Sequence, residues 1–168
     1  TSNAVCVLFD STLNQFHLID SVQAASSSAT AGIGAPQGYL NLVGAAGGTV
    51  QTADVIAATV VYYTPFTGNS IPIFNGSNFV PRTFTELTLT LTAGANSAST
   101  LYDACVFNNS GNAVLVSGPA WATSTAGSGA RGTGAGTPEL FQLNGLWVNK
   151  NAITGNNSGT SYSIPALQ

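Results

Sequence analysis

His17 is the only imidazole in this 168-residue chain, and a side chain that exchanges protons near neutral pH is where a catalytic reading starts. It stands in the run NQFHLID, with Phe16 and Leu18 beside it, which fits one side of a β-strand. A Ser-His-Asp triad could be drawn with Asp10 or Asp20. Serine is so abundant that the coincidence carries no information, and no Gly-x-Ser-x-Gly elbow is present. The six acids, Asp10, Asp20, Asp54, Glu86, Asp103 and Glu139, are too dispersed to be read as the acid and nucleophile of a glycosidase, a reading that two of them converging in space would reopen.

Metal and phosphate chemistry find no better footing. The chain has no Asp-x-Asp-x-Asp-Gly loop, no closely spaced Cys pair and no second His. The glycines of Arg131-Gly132-Thr133-Gly134-Ala135-Gly136 resemble a phosphate loop, but Pro138 and a strand-like ELFQL follow where a helix is needed. Neither a metal nor a cofactor is expected. Cys6 and Cys105 each lie in an apolar run, AVCVLF and DACVF, where a free thiol behaves as a small hydrophobe. Two cysteines do not define a disulfide framework.

Aromatic faces are the remaining chemistry, because sugar-binding β-modules stack flat rings at their loops. Trp121, just after Gly118-Pro119, Tyr39 and Tyr162 are the ligand-binding candidates, with Tyr62 and Tyr63 also considered. Trp147, between Leu146 and Val148, fits a core position. For each of these rings, packing or an internal hydrogen bond is the competing explanation. The sequons beginning at Asn75, Asn108 and Asn156 coincide with turns whose Asn is already accounted for.

The elements that would position these side chains are strands. TELTLTLT (residues 85–92) alternates Leu87, Leu89 and Leu91 with Thr88, Thr90 and Thr92, which predicts one buried and one wet face. Asp54 to Phe66 is β-branched and aromatic and stops at Pro65. Ser70 to Val80 reads as a hairpin, SIPIF and SNFV, around Asn75-Gly76. Further strands are expected at Leu101 to Asn108, Asn112 to Gly118, Glu139 to Gly145, Leu146 to Thr154 and Thr160 to Ile164. Turns are expected at Asn109-Ser110-Gly111, at Asn144-Gly145 and over Gly155 to Gly159. AVCVLFD, QFHLIDSV and GYLNLV add three strands near the start. The expectation is an all-β fold, an antiparallel β-sandwich or jelly-roll-like barrel with long Gly/Ser/Thr-rich loops at Ala24 to Pro36 and Thr123 to Pro138. The second loop reads as a surface excursion or as one packed on a neighbouring subunit. Residues 1–37 are read as N-terminal strands with an attachment segment, and 38–168 as the sandwich module.

Composition narrows the partners. Three Lys or Arg and six Asp or Glu leave a net charge of −3, while 44% of residues are apolar; this supply of core residues argues against disorder. Arg82, Arg131 and Lys150 are too few and too far apart to displace counterions from nucleic acid. No run approaches the ~20 apolar residues of a membrane span, so no membrane insertion is expected. The start, Thr1-Ser2-Asn3-Ala4, lacks the features of a signal peptide. With so little charge to keep copies apart, a homo-oligomer is expected.

The segment VVYYTPFTGNSIPIFNGSNFVPRTFTELTLTL, followed in order by LYDACVFNNSG, SGPAWATSTAGSGARGTG, TPELFQLNGLWVNKNAIT and SYSIPALQ, resembles a group of virion structural proteins of tailed phages and prophages of alphaproteobacteria. The resemblance covers about residues 38 to 168. YYTPFTGNSIPIFNG, FTELTLTL and LNGLWVNKNAIT are its most specific parts. It implies a fibre-like, minor tail or capsid-decoration component of the virion exterior, assembled in the host cytoplasm beside other virion proteins. It also implies a chain that continues beyond its C-terminus, and by analogy with phage fibres a trimer. It associates no catalytic residues with the fold. A host-receptor or glycan-binding adhesion domain is the alternative, and a glycan depolymerase a third reading.

Overall fold

A computed structural model of the chain describes residues 34–42, 52–125 and 128–168, together with the backbone of 7–10 and 15–18. The chain divides into two compact units, Thr1–Gly32 and Ile33–Gln168. In the first, β1 (Val7–Asp10) pairs antiparallel with β2 (Gln15–Leu18), with Leu8 opposite His17, so His17 does stand on a strand. Cys6, Asp20 and the Ala24 to Ile33 part of the first loop lie outside the described residues.

The second unit is built from β3 (Gly38–Asn41), β4 (Val60–Pro65), β5 (Ser70–Phe74), β6 (Phe79–Thr83), β7 (Leu87–Thr90), β8 (Tyr102–Asn109), β9 (Asn112–Ala120), β10 (Leu140–Leu143), β11 (Leu146–Asn149), β12 (Ile153–Asn157) and β13 (Thr160–Ile164). They form a three-stranded sheet β3-β4-β7, a four-stranded sheet β13-β12-β9-β8 and two hairpins, β5-β6 and β10-β11. Every pairing is antiparallel, and the described residues contain no helix. The all-β, antiparallel, sandwich-like expectation holds.

Period-two alternation places the core. Leu89 is 2% exposed, Leu87 and Leu91 pack beside it, and Thr88 faces water. These leucines cluster with Tyr63, Phe84, Ile71 and Ile73 and with Leu115, Val106 and Ala113 of β8 and β9. The opposite face of the four-stranded sheet carries a second cluster, Phe107, Val116, Ile153 and Ile164, with Cys105, Val114 and Tyr162 against it. Asn157 ties the two sheets together. Its Oδ1 accepts from the Thr90 amide, and its Nδ2 donates to the carbonyls of Thr88 and Leu115.

Local turn chemistry fixes the registers. Ser110-Gly111, Asn144-Gly145 and Ser158-Gly159 all have positive φ at both positions, the two-residue geometry that follows the right-handed twist of flanking strands. Asn75 Oδ1 accepts from the amides of Ser77 and Asn78 and closes β5 onto β6.

Three expected elements differ from the observed ones. Only Val60–Pro65 of the Asp54 to Phe66 run is a strand, because β7 pairs with β4 only as far as Thr90 opposite Val60. Ile56, before it, is almost fully exposed. The Leu146 to Thr154 run is two strands serving two sheets. The break comes where Lys150 donates its amide to Glu139 and Asn149 exchanges backbone hydrogen bonds with Leu167 and Gln168. The Gly155 to Gly159 turn is only Ser158-Gly159, and Gly155, Asn156 and Asn157 belong to β12.

Candidate functional site

The β8-β9 ladder slips between Tyr102, which faces Ala120, and Ala104, which faces Ser117. Gly118-Pro119 therefore opposes Asp103 alone, a bulge at a proline that has no amide to give. Beyond it Trp121 donates its amide to Leu101 O, and the chain doubles back through reciprocal backbone hydrogen bonds between Thr123 and Ala130. This return brings Arg131 over the indole.

Three groups then lock together. Arg131 donates from Nε and Nη2 to the two Asp103 oxygens, each at 2.9 Å, the fork geometry that gives an ion pair direction as well as energy. Trp121 Nε1 donates to Asp103 Oδ2 at 3.1 Å, and the Arg131 guanidinium carbon lies 4.2 Å from the Trp121 ring centroid. The Asp103 hydrogen bonds hold the Arg131 pKa above its ordinary value. Trp121 also lines a cleft of ≈ 640 Å³ with Ser99, Thr100, Leu101, Ser124, Thr125 and Gly129.

Of the other candidates, Tyr39 lies on β3 edge-on to Phe66, with ring centroids 5.5 Å apart. Tyr162 lies on β13 edge-on to Phe107 at 5.7 Å. Neither lines the Trp121 cleft. Tyr63 is core, its hydroxyl accepting from the Gly38 amide. Trp147 is not core: it is 66% exposed. Its register partner is Gln142, and Leu146 and Val148 take the opposite face, where Val148 is buried.

Among the acids, Glu86 accepts from Thr64 Oγ1. Glu139 accepts from the Gly134 amide, Lys150 Nζ and Asn151 Nδ2, and the Gly134 and Lys150 hydrogen bonds hold its carboxyl below the usual range. Asp54 is exposed, and Asp10 sits on β1 opposite Gln15. Among the described residues no group of three or more His, Cys, Asp and Glu could hold a metal, and no helix is long and apolar enough to cross a membrane. Asn75, Asn108 and Asn156 each spend their side-chain oxygen on a turn amide.

A second surface surrounds the β10-β11 hairpin. A cleft of ≈ 430 Å³ runs beside it, floored by core residues such as Tyr63, Ile73 and Leu115 and edged by Leu40 and Trp147. Leu40 is 53% exposed, and Phe141, on the hairpin's other face, is 45% exposed.

Cys105, half-buried on β8, packs against the second cluster. Burial first, then the Asp103 charge, push its thiol from 9.0 up to about 11, with Arg131 opposing. A folded pKa above the unfolded one stabilises fully below about pH 9 and progressively less up to about pH 11. Two units also mean about a hundredfold less thiolate at pH 8. In a Cys6→Ser background, native Cys105 should react with iodoacetamide at least about a hundredfold more slowly than the urea-unfolded chain. Equal rates would refute the burial argument.

Sequence reasoning missed the Asp103-Arg131 pair, whose members are 28 residues apart. The available signal was Gly118-Pro119 interrupting a strand-like run, which marks a bulge. No protein-family model, curated protein or solved structure matches the chain.

Proposed function

We propose that this chain is a non-catalytic structural module of the exterior of a tailed-phage virion, assembled in the host cytoplasm with other virion proteins. It joins copies of itself as a trimer. The observation that carries the assembly reading is the β10-β11 hairpin, which bears exposed Trp147 and Phe141 on opposite faces and no charged residue between Leu140 and Asn149. Two-stranded ribbons are marginal alone, and this one exposes an aromatic ring on each face, with Trp147 edging the cleft beside exposed Leu40. The resemblance of residues 38 to 168 to phage virion proteins supplies the setting. Engagement of Asp103, Glu86 and Glu139 in structural hydrogen bonds supports a non-catalytic reading.

Light scattering coupled to size exclusion tests it. At micromolar concentration the wild type should be an oligomer whose mass is unchanged from about 0.01 M to about 1 M salt, while the screening length falls from ~30 to ~3 Å. Trp147→Ser with Phe141→Ser should give a folded monomer. A monomeric wild type would refute assembly, and dissociation by salt would refute its apolar mechanism.

A further inference from the structure

We infer that the Trp121 cleft binds a neutral saccharide, with one hexose ring laid against the indole. This goes beyond the structural role and does not depend on it. A pyranose offers a patch of C–H groups on one face and hydroxyls around its rim. A matching site needs a flat apolar surface held still, short hydroxyl side chains around it and no net field. Trp121 meets the first need, because the Asp103 hydrogen bond and the Arg131 stack hold the indole's position. A ring immobilised beforehand loses little entropy on binding.

Ser99 and Thr125 supply hydroxyls at the rim, as do Thr100, whose Oγ1 donates to Ala98 O and keeps its acceptor sites, and Ser124, whose Oγ accepts from the Leu101 amide and keeps its proton to donate; Leu101, 43% exposed, extends the apolar floor. Among the described residues no charged side chain lines the cleft, and the Asp103 and Arg131 charges beside the indole neutralise each other through two 2.9 Å contacts. A neutral polar ligand is therefore favoured over an anion or a cation. The volume of ≈ 640 Å³ lies within the ~300–1,000 Å³ of small-molecule sites. Gly129 lets the loop wall of the cleft come close to Leu101 and Trp121. A Cβ at Gly129 would sit 2.5 Å from Leu101 Cδ1, so a larger residue there would make the Leu101 side chain swing across the apolar floor.

The test uses the full chain with Trp147→Phe, which leaves Trp121 as the only indole. Glucose, galactose, mannose, N-acetylglucosamine, lactose, maltotriose and chitotriose are each titrated to about 50 mM, enough to saturate a millimolar site, with indole fluorescence as the readout. N-acetylneuraminic acid serves as the charged comparison. At least one neutral sugar should give a saturable shift. Calorimetry on the Trp147-containing protein should show that heat abolished in Trp121→Ala and weakened several-fold in Arg131→Gln. Thr125→Tyr, a substitution at an exposed rim position, should block the cleft and abolish the shift with the indole intact, which keeps the inference testable where Trp121→Ala does not fold. Silence from every neutral sugar, a response confined to N-acetylneuraminic acid, or binding that survives both Trp121→Ala and Thr125→Tyr would overturn it. Oligomeric mass, read separately by light scattering, reports on the structural role alone.

Discussion

Leu89→Ala should lower the unfolding free energy by about 2–5 kcal/mol, whereas Thr88→Ala, one residue away, should change it by less than about 0.5 kcal/mol. Leu89 is 2% exposed at the meeting of the three-stranded sheet, the β5-β6 hairpin and β9. Truncation there removes the transfer free energy of the lost methyl groups and leaves a void. Around it, Tyr63 lies on β4, Leu115 on β9 and Phe84 on the β6-β7 connection, so closing the void would require strands to move. The neighbouring hydroxyl faces water and loses nothing comparable. Urea unfolding followed by far-ultraviolet circular dichroism would measure both. Equal small effects would mean that β7 does not bury its leucine face.

That contrast was legible in sequence because a strand writes its two faces in strict alternation, and TELTLTLT has no competing period. The turns were legible for an equally local reason. Asn144-Gly145 pairs two residues that tolerate left-handed φ, and at Ser110-Gly111 the Gly supplies that freedom after Asn109. What sequence could not show is which strand finds a partner. Asp54 to Thr59 has the β-branched content of a strand, but β7 pairs with β4 only as far as Val60, and propensity without a ladder does not make a strand.

The candidate site divides along the same line. Trp121 drew attention because it follows Gly118-Pro119, a local break. Its fixed orientation depends on Arg131 and Asp103, which nothing in the sequence joins. Trp147 was misplaced because alternation shows that two faces exist but does not show which one is covered. On β11 the covered face is that of Val148. A contact formed across sheets leaves no periodic trace in either segment.

Gly155 is where local and long-range signals conflict most, and it carries the second large expected effect. Read locally, Gly155-Asn156-Asn157-Ser158-Gly159 is a loop, and Gly→Ala in a loop at an ordinary φ stabilises by ~0.4–1 kcal/mol through the unfolded chain. In the structure Gly155 is a buried β12 residue. A Cβ there would lie 2.7 Å from Val116 Cγ2 and 2.8 Å from Ile164 Cδ1. Val116 and Ile164 are 0% and 1% exposed, so neither can swing into solvent, and a β-branched Val116 has little rotamer freedom to yield. Overpacking of this kind costs ~1–3 kcal/mol, which exceeds the entropic gain. Gly155→Ala should therefore destabilise by about 1–2 kcal/mol, and Gly155→Val by at least about 3 kcal/mol. Gly94, which has nothing within 4 Å of its would-be Cβ and no left-handed φ, is the control. Gly94→Ala should be neutral or stabilising by up to about 1 kcal/mol. The sign separates the two readings of residue 155, because a stabilised Gly155→Ala would return it to a loop and remove β12 from beneath the second cluster.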